Sequence, residues 1–151
     1  MIWASHMMAG AVAGAKLHNP VAIAAAALAS HFVLDAIPHK EYDIFEIKKV
    51  KFDRGFWTDF LKVLADFLSG LILGIYFGLK SSNLFNILLA MFFSLLPDFL
   101  LFISYLYNPP LMRKLTYFHE WIHWHKGKKI PYWLKIFTQA AVIILAIFIL
   151  N

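Results

Sequence analysis

Residues 84–107 read LFNILLAMFFSLLPDFLLFISYLY and include one charged side chain, the carboxylate of Asp98. A helix needs about 20 mostly apolar residues to cross the hydrocarbon core of a bilayer. This stretch is long and apolar enough to do so, and residues 56–79 and 132–150 meet the same criterion. The sequence therefore predicts a membrane protein built from spanning helices.

The composition of the whole chain supports this prediction. Apolar residues make up 61% and charged residues 15% of its 151 residues, and the mean hydropathy is +0.66. Soluble domains contain about 45–50% apolar and about 25% charged residues. A disordered chain and an ordinary soluble domain are both excluded, and the length corresponds to one domain over residues 1–151. The lack of cysteine excludes disulfides, thiolate metal sites and cysteine nucleophiles.

Three further stretches complete the predicted architecture. Residues 2–17 are rich in Gly and Ala, and residues 20–37 are apolar and rich in Ala. Because small side chains let helix backbones approach, these two stretches are expected to form a close-packed helical hairpin. Residues 111–126 are too polar to span and are expected to form an interfacial helix. The prediction is an all-α, polytopic integral membrane helical bundle of four or five spans, the count depending on whether residues 2–17 cross.

Prolines mark the expected helix ends. Pro20 can open the second helix at its first turn, and Pro38 disfavours helical geometry at Ile37. Asn108-Pro109-Pro110 is expected to end the fourth helix, and residues 127–131 separate the polar stretch from the last span.

Lys and Arg are concentrated in two of the connections. Residues 38–55 and residues 108–131 contain five each, whereas the other two connections contain one each, Lys16 and Lys80. Cytoplasmic loops of membrane proteins carry such an excess. We therefore expect both basic connections in the cytoplasm and Asn151 on the opposite face. The same bias explains the net charge of +5 without a nucleic acid partner.

Acidic residues and histidines occur within segments that should be apolar. Each ionisable group inside a span costs roughly 2.5–3.5 kcal/mol on insertion scales, so these groups are candidates for function. Carboxylates and imidazoles are the side chains that bind zinc and similar ions. At a rise of about 1.5 Å per residue, five segments bring them to a similar depth near the predicted cytoplasmic face. The candidate metal ligands are His6, His31, Asp35, His39, Asp66, Asp98, His119 and His123.

Two pairs of candidate ligands are spaced four residues apart. His31 and Asp35 lie on one helical face, and the turn after them can bring His39 back toward Asp35. His119 and His123 have the spacing used by helical zinc sites. A structural interpretation stays open for each pair. The first fits a helix-end Asp with a hydrogen-bonded His, and the second fits an amphipathic helix with His among interfacial aromatic residues.

The segment Leu96-Pro97-Asp98 is more specific than a single acidic residue. Pro97 frees a backbone carbonyl and kinks the helix, which makes room for a buried carboxylate and a cation. An ionised Asp98 without a charged partner is not expected in such a setting, so a bound metal ion is predicted.

Asp59 and Asp66 share a face of the third helix, and Lys62 lies between them. Lys62 could pair with either carboxylate, so a salt bridge is the alternative for one of them. A carboxylate that does not bind metal, Asp59 first, is a candidate general base or a group that orients a ligand. Asp59 and Asp66 are therefore the candidate catalytic residues.

The motifs G-x-S-x-G, G-x-x-x-x-G-K-[ST] and G-x-G-x-x-G do not occur, so serine hydrolase, P-loop and dinucleotide-binding functions lack support. Basic residues alternate with aromatic ones over residues 113–135 and could contact RNA or DNA. Anchoring at the membrane interface explains them with fewer assumptions.

The order of the candidate residues resembles the zinc-dependent phospholipase C superfamily. Trp3-x-x-His6, His31-x3-Asp35-x2-Pro38-His39 and His119-x3-His123 are similar to three elements of that superfamily. These elements are an amino-terminal Trp and His, a His-x3-Asp block followed by Pro and His, and a final His-x3-Glu. The size, hydropathy and dispersed acids resemble still more closely the small prokaryotic inner-membrane proteins called membrane-bound metal-dependent hydrolases.

Three features depart from the superfamily pattern. The gap from Asp35 to His39 is shorter than in the secreted lipases, and His123 stands where they have Glu. The soluble members of the superfamily also have no counterpart of Asp66 and Asp98, carboxylates that are predicted to be buried in spans. In the superfamily two or three zinc ions activate water against a phosphodiester. The resemblance therefore implies divalent metal cofactors, zinc first, in a prokaryotic inner membrane, and the Lys and Arg counts place the site toward its cytoplasmic side.

These observations predict a metal-dependent hydrolase, phospholipase C-like or lipid phosphatase-like, that acts on a phosphoester of a lipid. Metal ions would polarise the phosphoryl oxygen and lower the pKa of bound water toward 7. The alternative is a divalent-cation or proton transporter whose path the same residues line. A path needs polar groups at both faces, and residues 67–78 carry no acid, base or imidazole. A purely structural interaction protein leaves the buried acids unexplained.

Overall fold

The computed structural model describes the chain except for positions 41, 43, 45, 50, 108–109 and 125–127. The described part contains six α-helices, one short 3-10 helix (Ile47–Lys49) and no β-strand, which confirms the all-α prediction. The helices are α1 (Trp3–Lys16), α2 (Pro20–Ala36), α3 (Arg54–Lys80), α4 (Leu84–Tyr107), α5 (Pro110–Ile122) and α6 (Tyr132–Leu150).

The helix ends follow from local sequence chemistry. The side chain of Asn19 accepts hydrogen bonds from the amides of Val21 and Ala22, and Pro20 occupies the first turn of α2. The same helix ends at Ile37, whose extended backbone (ψ 137°) is the conformation that a following proline favours. Both breaks were predicted. The break predicted at Asn108-Pro109 lies outside the described residues.

Among the described residues, three helices are long and apolar enough to cross a membrane: α3, α4 over Leu84–Ser104, and α6. Large apolar side chains on their outer surfaces are exposed, such as Ile72 at 66% and Phe148 at 81%, as lipid-facing residues would be. The 17-residue α2 is a shorter apolar helix, and α5 is shorter and more polar. The protein is thus a helical membrane bundle with three candidate spans and one shorter apolar helix.

The centre of the bundle is α1, which packs against α2, α3, α4 and α6. Eight of its 14 residues are buried. Its length of ~21 Å is less than the ~30 Å thickness of a hydrocarbon core. The close approach of α1 to α4 depends on Gly14, because a Cβ atom there would lie 2.7 Å from the Cα atom of Ile87. Gly10 and Gly14 therefore serve the contact with α4, a helix other than the hairpin partner predicted from sequence.

The hairpin of α3 and α4 is closed at one end by a second group of glycines. Gly74 faces the side chain of Met91, and a Cβ atom at Gly78 would lie 2.9 Å from the Cα atom of Leu84. Nearer the start of α3, the same face carries large side chains such as Phe60 and Phe67. These side chains line a cavity between the two helices.

Candidate metal centre

Seven of the eight predicted ligands meet at one place in the bundle. They come from α1, α2, α4, α5 and the segments that follow α2 and α5. Asp98 has a side chain that is 16% exposed, and each of the others is at most 4% exposed as a residue. The seven residues of this His/Asp cluster are His6, His31, Asp35, His39, Asp98, His119 and His123.

Contacts outside the cluster fix the helices that carry it. The indole N–H of Trp124 donates to the carbonyl of Ala36 at 2.8 Å, which ties the end of α5 to the end of α2. The hydroxyl of Thr138 donates to the carbonyl of Pro38 at 2.7 Å, which ties the turn before His39 to α6. These hydrogen bonds hold the two histidine-bearing segments beside Asp35.

Four ligand atoms form one compact set: His31 Nε2, Asp35 Oδ2, Asp98 Oδ1 and His119 Nε2. His31 Nε2 lies 3.0 Å from the Asp35 oxygen, 3.2 Å from His119 Nε2 and 3.8 Å from the Asp98 oxygen. His119 Nε2 lies 3.2 Å from the Asp35 oxygen and 3.3 Å from the Asp98 oxygen. Each imidazole therefore approaches both carboxylates as well as the other imidazole.

These separations fit the edges of a coordination tetrahedron. Bonds of about 2.0–2.1 Å from a zinc ion to N and O ligands place the ligand atoms ~3.3–3.4 Å apart. The five measured edges lie between 3.0 and 3.8 Å. Two imidazoles and two carboxylates are also a donor set that such ions accept. The arrangement fits a metal ion at its centre.

A second set of ligand atoms surrounds the other oxygen of Asp35 and includes His39 Nε2 and His123 Nε2. The two nitrogens lie 3.9 and 3.4 Å from Asp35 Oδ1. His6 Nε2 lies 3.2 Å from the same oxygen, and the amino group of Met1 lies 2.7 Å from it. Asp35 thus faces one set of ligands with each carboxylate oxygen.

Backbone carbonyls orient three of the imidazoles. Nδ1 of His31 donates to the carbonyl of Ser94 at 2.7 Å, one turn before Pro97 in α4. Nδ1 of His39 donates to the carbonyl of Ile37, and Nδ1 of His123 donates to the carbonyl of His119, each at 2.8 Å. A carbonyl can only accept, so Nδ1 carries a proton in each of these rings, and Nε2 is the nitrogen that faces the carboxylates. This is the usual arrangement of metal-binding histidines.

Some buried nitrogens of the cluster have no hydrogen-bond partner within the described part of the chain. They are both ring nitrogens of His6 and Nδ1 of His119. Buried polar groups are nearly always hydrogen-bonded, and an unsatisfied one costs about 1–3 kcal/mol. His6 Nε2 lies 3.2 Å from Asp35 Oδ1, but the two atoms do not form a hydrogen bond. The surroundings of this nitrogen are therefore polar, as those of a metal ligand are. This fits a nitrogen that serves as a metal ligand.

The electrostatics of the cluster differ between its two ends. Burial disfavours protonation of His119, but the carboxylates of Asp35 and Asp98 outweigh this effect and raise the pKa of His119 to about 9. Burial and the neighbouring amino group of Met1 lower the pKa of His39 well below its usual value. The carboxylate pair therefore favours the protonated, positively charged form of His119, while His39 stays a neutral imidazole.

Asp66, the eighth predicted ligand, belongs to neither ligand set among the described residues. Its Oδ2 atom accepts a hydrogen bond from the amide of Ala4 at 3.2 Å and another from the hydroxyl of Tyr42. The Tyr42 oxygen also accepts from the amide of Trp3 at 3.3 Å. Burial and the carboxylate raise the pKa of Tyr42, so the hydroxyl stays protonated and donates. Asp66 thereby ties the start of α1 to α3.

Asp59 also lies outside the two ligand sets of the described residues. Its Oδ1 atom is 3.1 Å from the ammonium group of Lys62, and its Oδ2 atom accepts from the amides of Glu46 and Ile47. The salt bridge with Lys62 was one of the two interpretations open from sequence. Its role as a general base stays a prediction.

Sequence reasoning did not identify several groups beside the cluster. The amino group of Met1, the carbonyl of Ser94 and the hydroxyl of Tyr42 have no motif that marks them. Glu120 lines the same cavity as His119 and His123. Its position directly after His119 was a signal that could have singled it out.

Comparisons of the chain with models of protein families, with curated proteins and with solved structures find no match. The resemblance to the zinc-dependent phospholipase C superfamily and to membrane-bound metal-dependent hydrolases stays a prediction from motif order.

Proposed function

We propose that this protein is a metal-dependent hydrolase that cleaves a phosphoester of a membrane lipid. The observation that carries the proposal is the four-atom set of His31, Asp35, Asp98 and His119, with separations close to those of a tetrahedral site. These residues would hold one ion. Asp35, with His39 and His123 and with His6 beside them, would hold a second.

Zinc is the ion that this donor set favours, because imidazole and carboxylate ligands in tetrahedral geometry are typical of it. When bound, such ions polarise a phosphoryl oxygen and generate a nucleophile from water near neutral pH. Asp35 would contribute a ligand to each of the two ion sites, since each of its oxygens faces a different ligand set.

Residues at the edge of the cluster would receive the substrate. Asp98, His119 and His123 line a cavity, so this side of the cluster is accessible while His6 and His31 are fully buried. Glu120 lines the same cavity and is mostly exposed. In this proposal Glu120 accepts a proton from the attacking water, because Asp59 and Asp66 are already engaged by Lys62, Tyr42 and backbone amides.

The packing on the far side of the cluster supports hydrolysis over transport. Met7, Ala11, Ile87 and Met91 form one apolar core cluster, and Met8, Phe77 and Ala146 form another. An ion path through the bundle would require polar groups at this depth. The polar residues thus form a site at one end of the bundle, which we assign to the cytoplasmic side of a prokaryotic inner membrane.

Reporter fusions test this orientation. Fusions after Lys49 and Lys128 should report the same side of the membrane, and a fusion at Asn151 should report the opposite side.

The proposal is tested by metal content and hydrolysis measured on the same preparations. Wild-type protein, purified in detergent without chelators, should contain about two zinc equivalents, as a two-metal site requires. It should also release a water-soluble phosphate compound from phospholipid in mixed micelles. Asp35→Asn should lose both properties. The control Asp59→Asn removes a carboxylate outside the cluster and should retain the metal.

Two results would contradict the proposal. One is a wild-type metal content no higher than that of Asp35→Asn. The other is a metal-loaded wild type that hydrolyses neither phospholipids nor a soluble aryl phosphodiester. A normal rate of hydrolysis by the metal-loaded Glu120→Gln variant would exclude Glu120 as the proton acceptor. It would not contradict the metal site.

A further inference from the structure

A cavity of about 630 Å³ extends from the His/Asp cluster into the apolar part of the bundle. Asp98, His119 and His123 lie at its polar end, and Leu71, Leu88 and Met91 line its other end. From Asp98 to Leu88 the cavity follows α4 over ten residues, or ~15 Å. This distance is about half the ~30 Å thickness of a hydrocarbon core.

The shape of the cavity follows from the residues on one face of α3. At Gly74 and Gly78 this helix lies close to α4, so the cavity ends there. Phe60, Leu64 and Phe67 on the same face are larger, and they line the cavity toward the cluster. The sequence of α3 thus encodes a pocket that is closed toward the end of α3 and polar at the His/Asp cluster.

The cavity also reaches the outer surface of the bundle. Phe60, Phe92 and Phe99 line it and are 38%, 60% and 51% exposed. These residues lie on α3 and α4, two of the candidate spans, so their exposed surfaces face hydrocarbon. A lipid chain can therefore move from the bilayer into the cavity between these helices without crossing water.

An apolar cavity of this size favours an apolar occupant, because its walls lose dispersion contacts wherever it is empty. Lipid chains are the apolar groups that surround α3 and α4. A chain gains little hydrophobic free energy on leaving other chains, since the bilayer is as apolar as the pocket. Selectivity must then arise from the polar end, where the headgroup meets the cluster.

We propose that the cavity binds one hydrocarbon chain of a membrane lipid, with its end against Leu71, Leu88 and Met91 and its headgroup phosphate at Asp98 and His119. The assignment of the phosphate rests on the proposed function, whereas the chain site rests on the cavity alone. The lipid is drawn from the leaflet on the side of the cluster.

The chain site can be mapped with a photoreactive lipid. The full chain is reconstituted in phosphatidylglycerol vesicles that contain a small proportion of phosphatidic acid with a diazirine at the methyl end of one chain. After irradiation, mass spectrometry should locate the label on residues at the deep end, Leu71, Leu88 and Met91. Label confined to outward-facing residues such as Ile72 and Phe85 would overturn the proposal, because that pattern marks ordinary surrounding lipid.

A matched pair of variants sharpens this test. Leu71→Trp fills the deep end, whereas Ile72→Trp adds the same ring to a neighbouring position that is 66% exposed and does not line the cavity. Labelling at Leu88 and Met91 should fall about tenfold in Leu71→Trp, because the indole ring takes the space of the chain end and overpacking there opposes binding. It should be unchanged in Ile72→Trp, and equal labelling in both variants would overturn the proposal. If Leu71→Trp does not accumulate in the membrane, Leu88→Phe fills the same end with a smaller ring and replaces it.

The chain site and the proposed function can fail separately. Deep-end labelling in a wild type that lacks hydrolytic activity would contradict the proposed function and support the chain site. Hydrolysis with labelling only on the outer surface would support the proposed function and contradict the chain site. Asp98→Asn, which should lose hydrolysis, should still be labelled at Leu71 and Met91.

Discussion

The carboxylate of Asp35 and the imidazole of His119 meet inside the bundle, with 3.2 Å between Oδ2 and Nε2. The two residues belong to α2 and α5, between which the chain forms the long helices α3 and α4. Their contact therefore requires the assembled bundle. A metal ion bound at this point would hold α2, α4 and α5 together and would stabilise the fold as well as serve the chemistry.

The first prediction concerns Asp98, the carboxylate beside Pro97 in α4. Asp98→Asn keeps the shape of the side chain but removes its charge, and an amide is a poorer metal ligand. Metal affinity and hydrolytic rate should fall together by at least about 10–100-fold, since even groups that only orient a ligand have effects of that size. Insertion should be normal or improved, because a costly charge is removed from a span.

Elemental analysis and phosphate release on the same Asp98→Asn sample provide the measurement. Unchanged metal occupancy with normal activity would exclude Asp98 from the site. A lower folding yield with unchanged metal per molecule would indicate a purely structural role for this carboxylate.

The second prediction concerns metal removal and the stability of the bundle. A ligand that binds only the folded state at 100 times its Kd stabilises that state by about 2.7 kcal/mol. A strong chelator should therefore lower the thermal unfolding temperature of the wild type in detergent, and added zinc should restore it. Asp35→Asn already lacks the central ligand, so the chelator should not change its unfolding temperature. Equal shifts in both proteins would mean that the chelator acts elsewhere.

The helix boundaries could be predicted closely from sequence, because short-range chemistry determines them. Asn19-Pro20 and Pro38 delimit α2 as expected, and the run 84–107 matches α4 at both ends. The clustering of His31, Asp35 and His119 followed from depth along the helices. The different roles of the acidic residues could not be predicted in this way, because Asp35, Asp59 and Asp66 differ only in which neighbours the tertiary packing brings to them.

The third prediction concerns Tyr42, a residue that sequence reasoning missed. Tyr42→Phe removes the hydroxyl that donates to Asp66 and leaves a carboxylate that is largely buried with fewer donors. The free energy of unfolding should fall by about 1–3 kcal/mol, while the metal content stays unchanged because Asp66 is assigned to neither ligand set. Tyr76→Phe, at a position that is 57% exposed on α3, is the control and should have little effect. Loss of metal in Tyr42→Phe would place Asp66 back among the ligands.

The fourth prediction concerns the contact between α1 and α4 at Gly14. A Cβ atom there would lie 2.7 Å from the Cα atom of Ile87, and backbone atoms cannot move aside cheaply. Gly14→Ala should therefore destabilise the bundle by about 1–3 kcal/mol. Gly55→Ala is the matched helical control, since its Cβ would meet the flexible side chain of Glu46 at 2.8 Å. Equal unfolding temperatures for the two variants would show that α1 and α4 are not packed this closely.

The cavity and the role of α1 could not be predicted from the linear pattern. Gly70, Gly74 and Gly78 were visible as small residues in a spanning helix, but their partners Met7, Met91 and Leu84 depend on how three helices pack. Residues 2–17 were expected to pair with the second helix, whereas α1 also contacts α3, α4 and α6. Such contacts depend on the volumes of side chains that lie far apart in the sequence.

The most direct test of the central claim, a metal ion held by the His/Asp cluster, is X-ray absorption spectroscopy at the zinc edge on wild-type protein purified without chelators. The account predicts N and O ligands at about 2.0–2.1 Å in four-coordinate geometry, with the outer-sphere scattering of imidazole. Both features should be lost in Asp35→Asn and retained in Asp59→Asn. A wild-type sample without bound metal, or a spectrum without imidazole scattering, would contradict the account.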